Sequence, residues 1–198
     1  KNCPHQIAIV STGLIMHQRE GQEFIKEAGY LARSKYGCVI LDEAHKARLR
    51  GGLGKEAAQP NNLLAFMRAI GKQTRHLILG TATPIQTDVS ELWELMKILN
   101  SGADFVLGDS LSPWNDMQQA IPLITGKENP QTTEQAWDWL RNPLPPANEH
   151  LLCQTVRDDL GISPTAFECA YPFESLEYML QEMHLPTALE EGFFQKYN

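Results

Sequence analysis

The sequence lacks a long apolar run and lacks paired cysteines, and each absence excludes a class of protein. No apolar stretch approaches the roughly 20 residues that a transmembrane helix requires. The cysteines contain no C-x-x-C pair, which argues against a zinc site and against a disulfide framework. They are scattered along the chain at Cys3, Cys38, Cys153 and Cys169. We therefore predict a protein with no membrane contact in a reducing, cytoplasmic compartment.

A complete P-loop is also missing, although one segment imitates its end. Gly52-Leu53-Gly54-Lys55 is similar to the last residues of the pattern G-x-x-x-x-G-K-[ST], which cradles nucleotide phosphates. That pattern needs Gly at the position of Leu49 and Ser or Thr at the position of Glu56. The chain also starts without an initiating Met, so we expect a piece of a longer protein.

The net charge of −7 argues against a uniformly basic nucleic-acid-binding protein, but the charge is unevenly distributed. Residues 1–100 carry 13 Lys and Arg against 9 Asp and Glu, whereas residues 101–198 carry 4 against 15. The first half could contact phosphates, above all through the Gly-rich and basic loop 47–56. The acidic half would face water or a protein partner. Ordinary compositional drift is the alternative explanation.

One stretch, residues 36–46, organises the rest of the chain. The composition as a whole, with 42% hydrophobic and 21% charged residues, is that of a globular protein. The apolar run 38–41 predicts a buried parallel strand, although a helix segment can show the same pattern. Asp42 and Glu43 follow at the carboxyl end of this strand, where open α/β sheets bind ligands. In nucleotide hydrolases such an acid holds Mg²⁺, and an acid beside it can accept a proton from the attacking water. The alternative is an exposed acidic turn.

Further strands and helices surround this stretch. Residues 6–10 and 76–79 are predicted strands, and residues 14–28 are predicted to be helical. Asn61-Asn62 are predicted to cap another helix. Strands that alternate with helices predict a βαβαβ unit with a parallel sheet and right-handed crossovers, which places the fold in the α/β class.

The third predicted strand also ends in polar residues. Thr81 and Thr83 follow it, and Pro84 prevents the segment from continuing as a central strand. Because parallel strands end at the same sheet edge, we expect these hydroxyls beside the two acids, where they could sense a bound ligand. A plain Thr-Pro turn is the alternative.

The rest of the sequence predicts packing rather than chemistry. Ser11 and Thr12 follow the first predicted strand, where hydroxyls more often cap a helix than bind a ligand. An amphipathic helix is predicted over residues 89–99, with Asp88 and Glu91 as a capping box. After residue 101, Gly and Pro divide the chain into short helical pieces. The packing anchors expected there are Trp114, Trp137 and Trp139.

Taken together, three segments resemble the Swi/Snf-type ATPases of helicase superfamily two. They are VILDEAHK at 39–46, LILGTATPIQ at 77–86 and ELWEL at 91–95. Their order and interval fit the family, and the Thr-Ala-Thr-Pro turn is most similar to that of the bacterial members that recycle RNA polymerase. Residues 9–12 look like the family's strand-end segment that touches nucleic acid. The resemblance covers residues 6–100 of the chain.

The resemblance implies a fold and an activity. Residues 1–105 would be the C-terminal part of the first RecA-like lobe, and residues 106–198 a mostly helical extension towards a second lobe. Family members hydrolyse ATP with Mg²⁺ and translocate along double-stranded DNA, with RNA as an open alternative for the track. A bacterial member would be cytoplasmic and associated with the nucleoid, and its acidic half would be available to a protein partner.

The matched motifs also imply roles for individual residues. The catalytic positions are Asp42, as the Mg²⁺ ligand, and Glu43, as the group that activates water. The coupling positions, which would link the nucleotide site to the nucleic-acid track, are His45, Thr81, Thr83 and Gln86. The resemblance predicts that Ser11 and Thr12 contact nucleic acid. The charge of Lys46, Arg48 and Arg50 predicts the same for these three residues.

The chain also departs from the family. It contains neither the P-loop nor the arginine fingers of a second lobe, and Thr87 stands where many relatives have Asn. We therefore predict no ATPase activity from these residues alone. The main alternative is a catalytically silent, helicase-like scaffold that binds nucleic acid or protein, although it would not need both acids. A metal hydrolase built on Asp42, Glu43 and His45 would lack the histidine pair of the zinc proteases.

Overall fold

The chain folds into two compact units, Lys1–Gly102 (unit 1) and Ala103–Asn198 (unit 2). The computed structural model describes residues 7–16, 26–50, 59–86, 88–148 and 151–182. Over these residues the protein is mixed α/β, with a small parallel sheet and several helices. None of the helices in these ranges is long and apolar enough to cross a bilayer.

The elements of unit 1 alternate between helices and strands. The helices are α1 (Gly13–Met16), α2 (Lys26–Arg33), α3 (Asn62–Gly71) and α4 (Val89–Asn100). The strands are β1 (Tyr36–Leu41), β2 (Leu49–Arg50), β3 (Gln59–Pro60) and β4 (Thr74–Leu79). A short 3₁₀ helix, Ala44–Lys46, follows β1.

Strands β1 and β4 lie side by side in parallel and form the sheet that positions the candidate site. Tyr36 pairs with Thr74 at one end and Leu41 pairs with Leu79 at the other, so both strands finish at the same edge. Helix α3 lies in the connection between them, because parallel neighbours need a crossover. The strand predicted from residues 38–41 is confirmed, but the prediction that it is buried is wrong, because Cys38 is exposed and Ile40 is 70% exposed. The strand predicted at 76–79 begins two residues earlier.

The strand predicted at residues 6–10 is wrong. Gln6 lies outside the described residues, and residues 7–10 have no strand structure. Ile7 and Ile9 are 84% and 99% exposed, because the described residues place no strand edge beside them. An apolar run becomes a strand only where a neighbour satisfies its backbone hydrogen bonds. In the described residues the predicted βαβαβ unit is therefore a pair of parallel strands.

The loop predicted at residues 47–56 contains a short strand. β2 pairs with β3 in antiparallel fashion, with Leu49 opposite Pro60 and Arg50 opposite Gln59. Residues 51–58, which include the segment similar to a P-loop, lie outside the described residues.

The core of unit 1 gathers the apolar faces of its helices and of the sheet. The cap predicted for α3 is confirmed, because Asn61 Oδ1 accepts the N–H of Leu64 at 2.8 Å. Removing apolar side chains from water is the main stabilising contribution to such a core. The residues that α3 buries are Leu63, Leu64, Phe66, Met67, Ile70 and Gly71.

The helix predicted over residues 89–99 is confirmed as α4, and Asp88 caps it. Its buried face includes a charged side chain that the apolar periodicity did not predict, since Glu94 is 3% exposed. This carboxylate pairs with Arg68 of α3 and lies 3.7 Å from Lys97 Nζ. Pairing is what allows the burial, because an isolated buried carboxylate is strongly destabilising.

Unit 2 consists of short helices, as its Gly and Pro content predicts. They are α5 (Met117–Ile124), α6 (Thr133–Leu140), α7 (Leu151–Asp159), α8 (Phe173–Glu182) and the 3₁₀ helix Pro113–Asn115. Trp137 is fully buried, and Trp114 and Trp139 meet edge to face with their ring centroids 4.7 Å apart. The predicted packing role of the three tryptophans is confirmed.

Candidate functional site

The carboxyl ends of β1 and β4 are joined by backbone hydrogen bonds. The N–H of Gly80 donates to the carbonyl oxygen of Leu41 at 2.8 Å, which extends the strand pairing by one residue. The N–H of Ala44 then donates to the carbonyl oxygen of Gly80 at 2.9 Å. The segment that carries the two acids is therefore fixed against the segment that carries the two threonines.

Asp42 lies at the exposed end of β1, beside the backbone of β4. An ideal Cβ built on Gly80 would lie 3.8 Å from Asp42 Oδ1. Oδ1 accepts the N–H of Glu43 at 2.9 Å, which fixes the carboxylate at the strand end. Within the described part of the chain, Oδ2 has no hydrogen-bond partner, so one oxygen remains available for a cation.

Glu43 adopts a left-handed backbone conformation, with φ 52° and ψ 48°. It is the one non-glycine residue with positive φ among those that the structure describes. A side chain in this region costs about 1–3 kcal/mol, and such strain concentrates at functional sites. The turn lets the chain leave β1 and enter the 3₁₀ helix at once, which keeps both acids at the sheet edge.

His45 connects the acids with the threonine turn. Its Nδ1 lies 3.2 Å from Glu43 Oε2 and 3.1 Å from Thr81 Oγ1. A carboxylate oxygen can only accept, so this geometry favours a proton on Nδ1 that both oxygens share. The imidazole is largely buried, with 19% of the side chain exposed, whereas half of the Glu43 side chain is exposed.

The two threonines lie on this edge, and Gln86 is separate. Thr81 Oγ1 accepts the N–H of Thr83 at 3.2 Å, so one hydroxyl contacts both the histidine and the turn. The side chain of Gln86 is exposed and has no polar partner in the described residues. Its backbone N–H donates to Glu91 Oε2 at 2.6 Å, which attaches the end of the turn to α4.

Ser11 and Thr12 begin a helix and do not end a strand, because the strand predicted before them is not formed. Ser11 Oγ accepts the N–H of Gly13 at 3.2 Å. The carbonyl oxygen of Thr12 accepts the N–H of Met16 at 2.9 Å. These are the hydrogen bonds of a helix start, which is the commoner of the two outcomes that the sequence allowed.

Three exposed cations follow the acids along the chain. Lys46 ends the 3₁₀ helix, and Arg48 and Arg50 lie in and beside β2. Among the described residues none of the three forms an ion pair, so their charges face solvent. The arrangement suits contacts with phosphate groups.

Asn61 is the residue of this region that the sequence predicted only as a helix cap. It is 4% exposed, and its Nδ2 donates to the carbonyl oxygen of Lys46 at 2.6 Å. Its backbone N–H donates to the carbonyl oxygen of Arg48 at 3.0 Å. One buried amide thus anchors the basic segment to α3, and no sequence signal beyond the cap pattern indicated this.

The described residues do not supply a complete set of protein ligands for a metal ion. Among the described residues no group of three or more His, Cys, Asp and Glu side chains forms a complete metal cage. Mg²⁺ is commonly bound through one or two carboxylates together with phosphate oxygens and water. The single available oxygen of Asp42 fits this mode and does not fit a closed structural metal site.

Comparison with curated proteins finds chromatin-remodelling ATPases. The chain is 27% identical over 161 residues to the chromatin-remodeling ATPase INO80 of Eremothecium gossypii, which covers 81% of this chain and 10% of the relative. It is 28% identical over 133 residues to a probable chromatin-remodeling complex ATPase chain of Oryza sativa subsp. japonica, and the match covers 65% of this chain and 11% of the relative. It is 29% identical over 134 residues to the ISWI chromatin-remodeling complex ATPase CHR11 of Arabidopsis thaliana, and the match covers 65% of this chain and 12% of the relative.

These relatives confirm the resemblance that the motifs indicated, since they are ATPases of the Snf2 type. The chain spans about a tenth of the length of the curated relatives that it matches. No family model and no solved structure matches it.

Proposed function

We propose that this chain is part of a Swi/Snf-type ATPase that couples ATP hydrolysis to movement on duplex DNA. Residues 1–105 would belong to its first RecA-like lobe, and residues 106–198 to an extension towards the second lobe. The observation that most strongly supports this proposal is the hydrogen bond between His45 and Thr81 at the common end of two parallel strands. The names of the relatives and the unequal charge of the two halves support the proposal.

Asp42 is the residue that would hold Mg²⁺, through its available Oδ2. The cation would neutralise charge between the β- and γ-phosphates of ATP. The remaining ligands would be phosphate oxygens and water, and the P-loop would come from outside these 198 residues. Oδ1 is engaged by the backbone of Glu43, so the carboxylate keeps its orientation when a ligand arrives.

Glu43 would accept the proton of the attacking water. Its Oε2 contacts His45, which leaves Oε1 for a water molecule and orients the carboxylate. The strained backbone places this side chain at the sheet edge. His45, Thr81 and Thr83 then connect the carboxylate to the turn that leads to α4, with Gln86 at the far end of that turn. A shift of the turn would alter the orientation of the base.

Lys46, Arg48 and Arg50 would contact the phosphates of the track, with Ser11 and Thr12 as further contacts. Such binding weakens as salt rises, because counterions are released from the nucleic acid. If the parent protein acts on chromatin, as its relatives are named to do, it is nuclear and has DNA and other proteins of a complex as partners. That location would replace the bacterial, nucleoid-associated one that the sequence predicted.

The test is DNA-stimulated ATP hydrolysis by the full-length parent protein. We expect Asp42→Asn and Glu43→Gln to abolish turnover, while Glu128→Gln, an exposed acid of unit 2, retains it. The 198-residue chain alone should hydrolyse no ATP. Normal turnover by the Glu43→Gln parent would refute the assignment of the base. A parent that binds DNA without any turnover would support the silent scaffold instead.

A further inference from the structure

An open groove of about 680 Å³ lies in unit 2, between the end of α7 and the length of α8. Met179, which is 8% exposed, and the half-buried Leu160 supply an apolar base. Two tyrosines flank this base with much of their rings in solvent, since Tyr171 is 43% exposed and Tyr178 is 66% exposed. Exposed aromatic rings beside an apolar base form a surface on which an aliphatic chain can pack.

Acidic side chains border the same groove. Asp159 contributes from the last turn of α7, Glu174 from the first turn of α8 and Glu182 from its last residue. The carbonyl groups at the end of α7 add to the negative potential beside Asp159. The groove therefore combines an apolar base with a negative border.

Two of these acids, Asp159 and Glu174, form no ion pair with any residue that the structure describes. Among the described residues that line the groove, none is Lys, Arg or His. Arg157 of the same helix is 2% exposed, and its guanidinium donates to backbone carbonyls, including that of Ser163 at 2.6 Å. Residues 101–198 carry 4 basic and 15 acidic side chains, so the surroundings reinforce the sign of the border.

We propose that this groove docks a Lys- and Arg-rich segment of a partner protein. The aliphatic stem of a Lys or Arg would pack on Met179 and Leu160, with its cation over Tyr178 and beside the carboxylates. An acidic segment or a nucleic acid would be repelled by the same charges. The groove is open along α8 and so accepts a chain segment. The proposal is independent of the ATP site in unit 1.

The experiment measures binding of a fluorescein-labelled oligolysine peptide to the 198-residue chain by fluorescence anisotropy. The same peptide with acetylated lysines keeps the stems and removes the charge. The test variants are Asp159→Asn with Glu174→Gln, and separately Tyr178→Ala. The matched control is the pair Asp158→Asn with Glu177→Gln, because it removes the same two charges from α7 and α8 at exposed positions that do not line the groove.

We expect the oligolysine peptide to bind and the acetylated peptide to bind at least tenfold more weakly. The double variant should weaken binding by about tenfold and Tyr178→Ala by about fivefold, as expected for residues at the centre of a contact. The control pair should change binding less than twofold. Equal losses in the control pair and in Asp159→Asn with Glu174→Gln would show attraction to net charge alone and would overturn the proposal, as would no binding.

A second measurement distinguishes a partner from a second copy of the chain. Unit 1 carries exposed cations, which could occupy the groove of another molecule. Sedimentation equilibrium of the chain should show a monomer in both wild type and double variant. A wild-type dimer that dissociates in the double variant would overturn the assignment to a partner protein.

Discussion

His45 and Thr81 lie 36 positions apart in the chain, yet His45 Nδ1 is 3.1 Å from Thr81 Oγ1. The contact exists because two parallel strands end opposite each other at Leu41 and Leu79. The same nitrogen also lies 3.2 Å from Glu43 Oε2, so one imidazole nitrogen contacts both a carboxylate and a hydroxyl. The proposed base and the proposed coupling turn are therefore connected through His45.

Replacing Thr81 should reduce the coupling between nucleic acid and ATP turnover in the parent protein. Thr81→Val keeps the shape of the side chain and removes the hydroxyl that contacts His45 and the N–H of Thr83. The loss of such a hydrogen bond is worth about 1 kcal/mol. We expect the ratio of DNA-stimulated to basal hydrolysis to fall by about fivefold, the factor that this energy corresponds to.

The conservative variant provides the control for this prediction. Thr81→Ser keeps the hydroxyl and should restore most of the stimulation, whereas Thr81→Ala should behave like Thr81→Val. Equal stimulation in Thr81→Val and wild type would show that the hydrogen bond has no part in coupling.

The backbone strain at Glu43 predicts an order of stability among its variants. Glycine adopts φ 52° without steric cost, whereas alanine still carries a Cβ. We expect Glu43→Gly to exceed Glu43→Ala in free energy of unfolding by about 1 kcal/mol, despite the larger entropy of glycine in the unfolded chain. Urea denaturation of the 198-residue chain measures this. If Glu43→Ala is the more stable of the two, the left-handed conformation is not a feature of the folded protein.

Replacing Asn61 should destabilise the protein by more than the loss of a helix cap alone. Asn61→Ala removes the acceptor for Leu64 N–H, which is a buried hydrogen bond, and the donor to the Lys46 carbonyl, which is a partly buried one. We expect the free energy of unfolding to fall by about 2–4 kcal/mol, because the variant loses the cap and leaves that carbonyl without its hydrogen bond. Chemical denaturation followed by circular dichroism gives the value.

Asn61→Ser separates the two contributions. Serine can still cap α3 but is too short to reach Lys46, so its loss should be about half of that for alanine. Equal losses for the serine and alanine variants would mean that the cap contributes little and that the link to Lys46 dominates.

The buried thiol of Cys169 predicts a loss of stability at alkaline pH. Burial raises its pKa above the ordinary value of 9.0, and the hydrogen bond with the backbone of Tyr171 and the charge of Arg141 oppose this only in part. The pKa of this thiol is higher in the folded protein than in the unfolded chain. The contribution of the protonated thiol to the free energy of unfolding is therefore fully present at a pH below the pKa of the unfolded chain. It is lost as the pH rises through the pKa of the folded protein.

The comparison is between wild type and Cys169→Ala in unfolding experiments from pH 7 upwards. The difference in unfolding free energy should be constant up to the ordinary thiol pKa and should then shift in favour of the alanine variant. A parallel pH dependence of the two proteins would contradict the raised pKa. Thiol labelling should modify the exposed Cys38 before Cys153 and Cys169, which are buried.

Local sequence patterns were sufficient for the elements whose signals are local. The apolar run before Asp42 became β1, and Asn61 caps α3 as its side chain predicts. The run at residues 6–10 had the same apolar character, but its described residues 7–10 are not a strand, because strand structure depends on a neighbour that the run itself does not encode. Periodicity likewise missed Glu94, whose burial depends on Arg68 from another helix.

The sequence alone determined that two acids and two threonines follow two strands, because strand ends and turn residues are recorded in consecutive positions. The tertiary structure decided that His45 reaches both Glu43 and Thr81, that Glu43 is held in a strained conformation, and that a groove in unit 2 combines tyrosines with acids. These relationships depend on backbone geometry and on the register between distant segments. Periodicity and spacing along one chain carry no information about either.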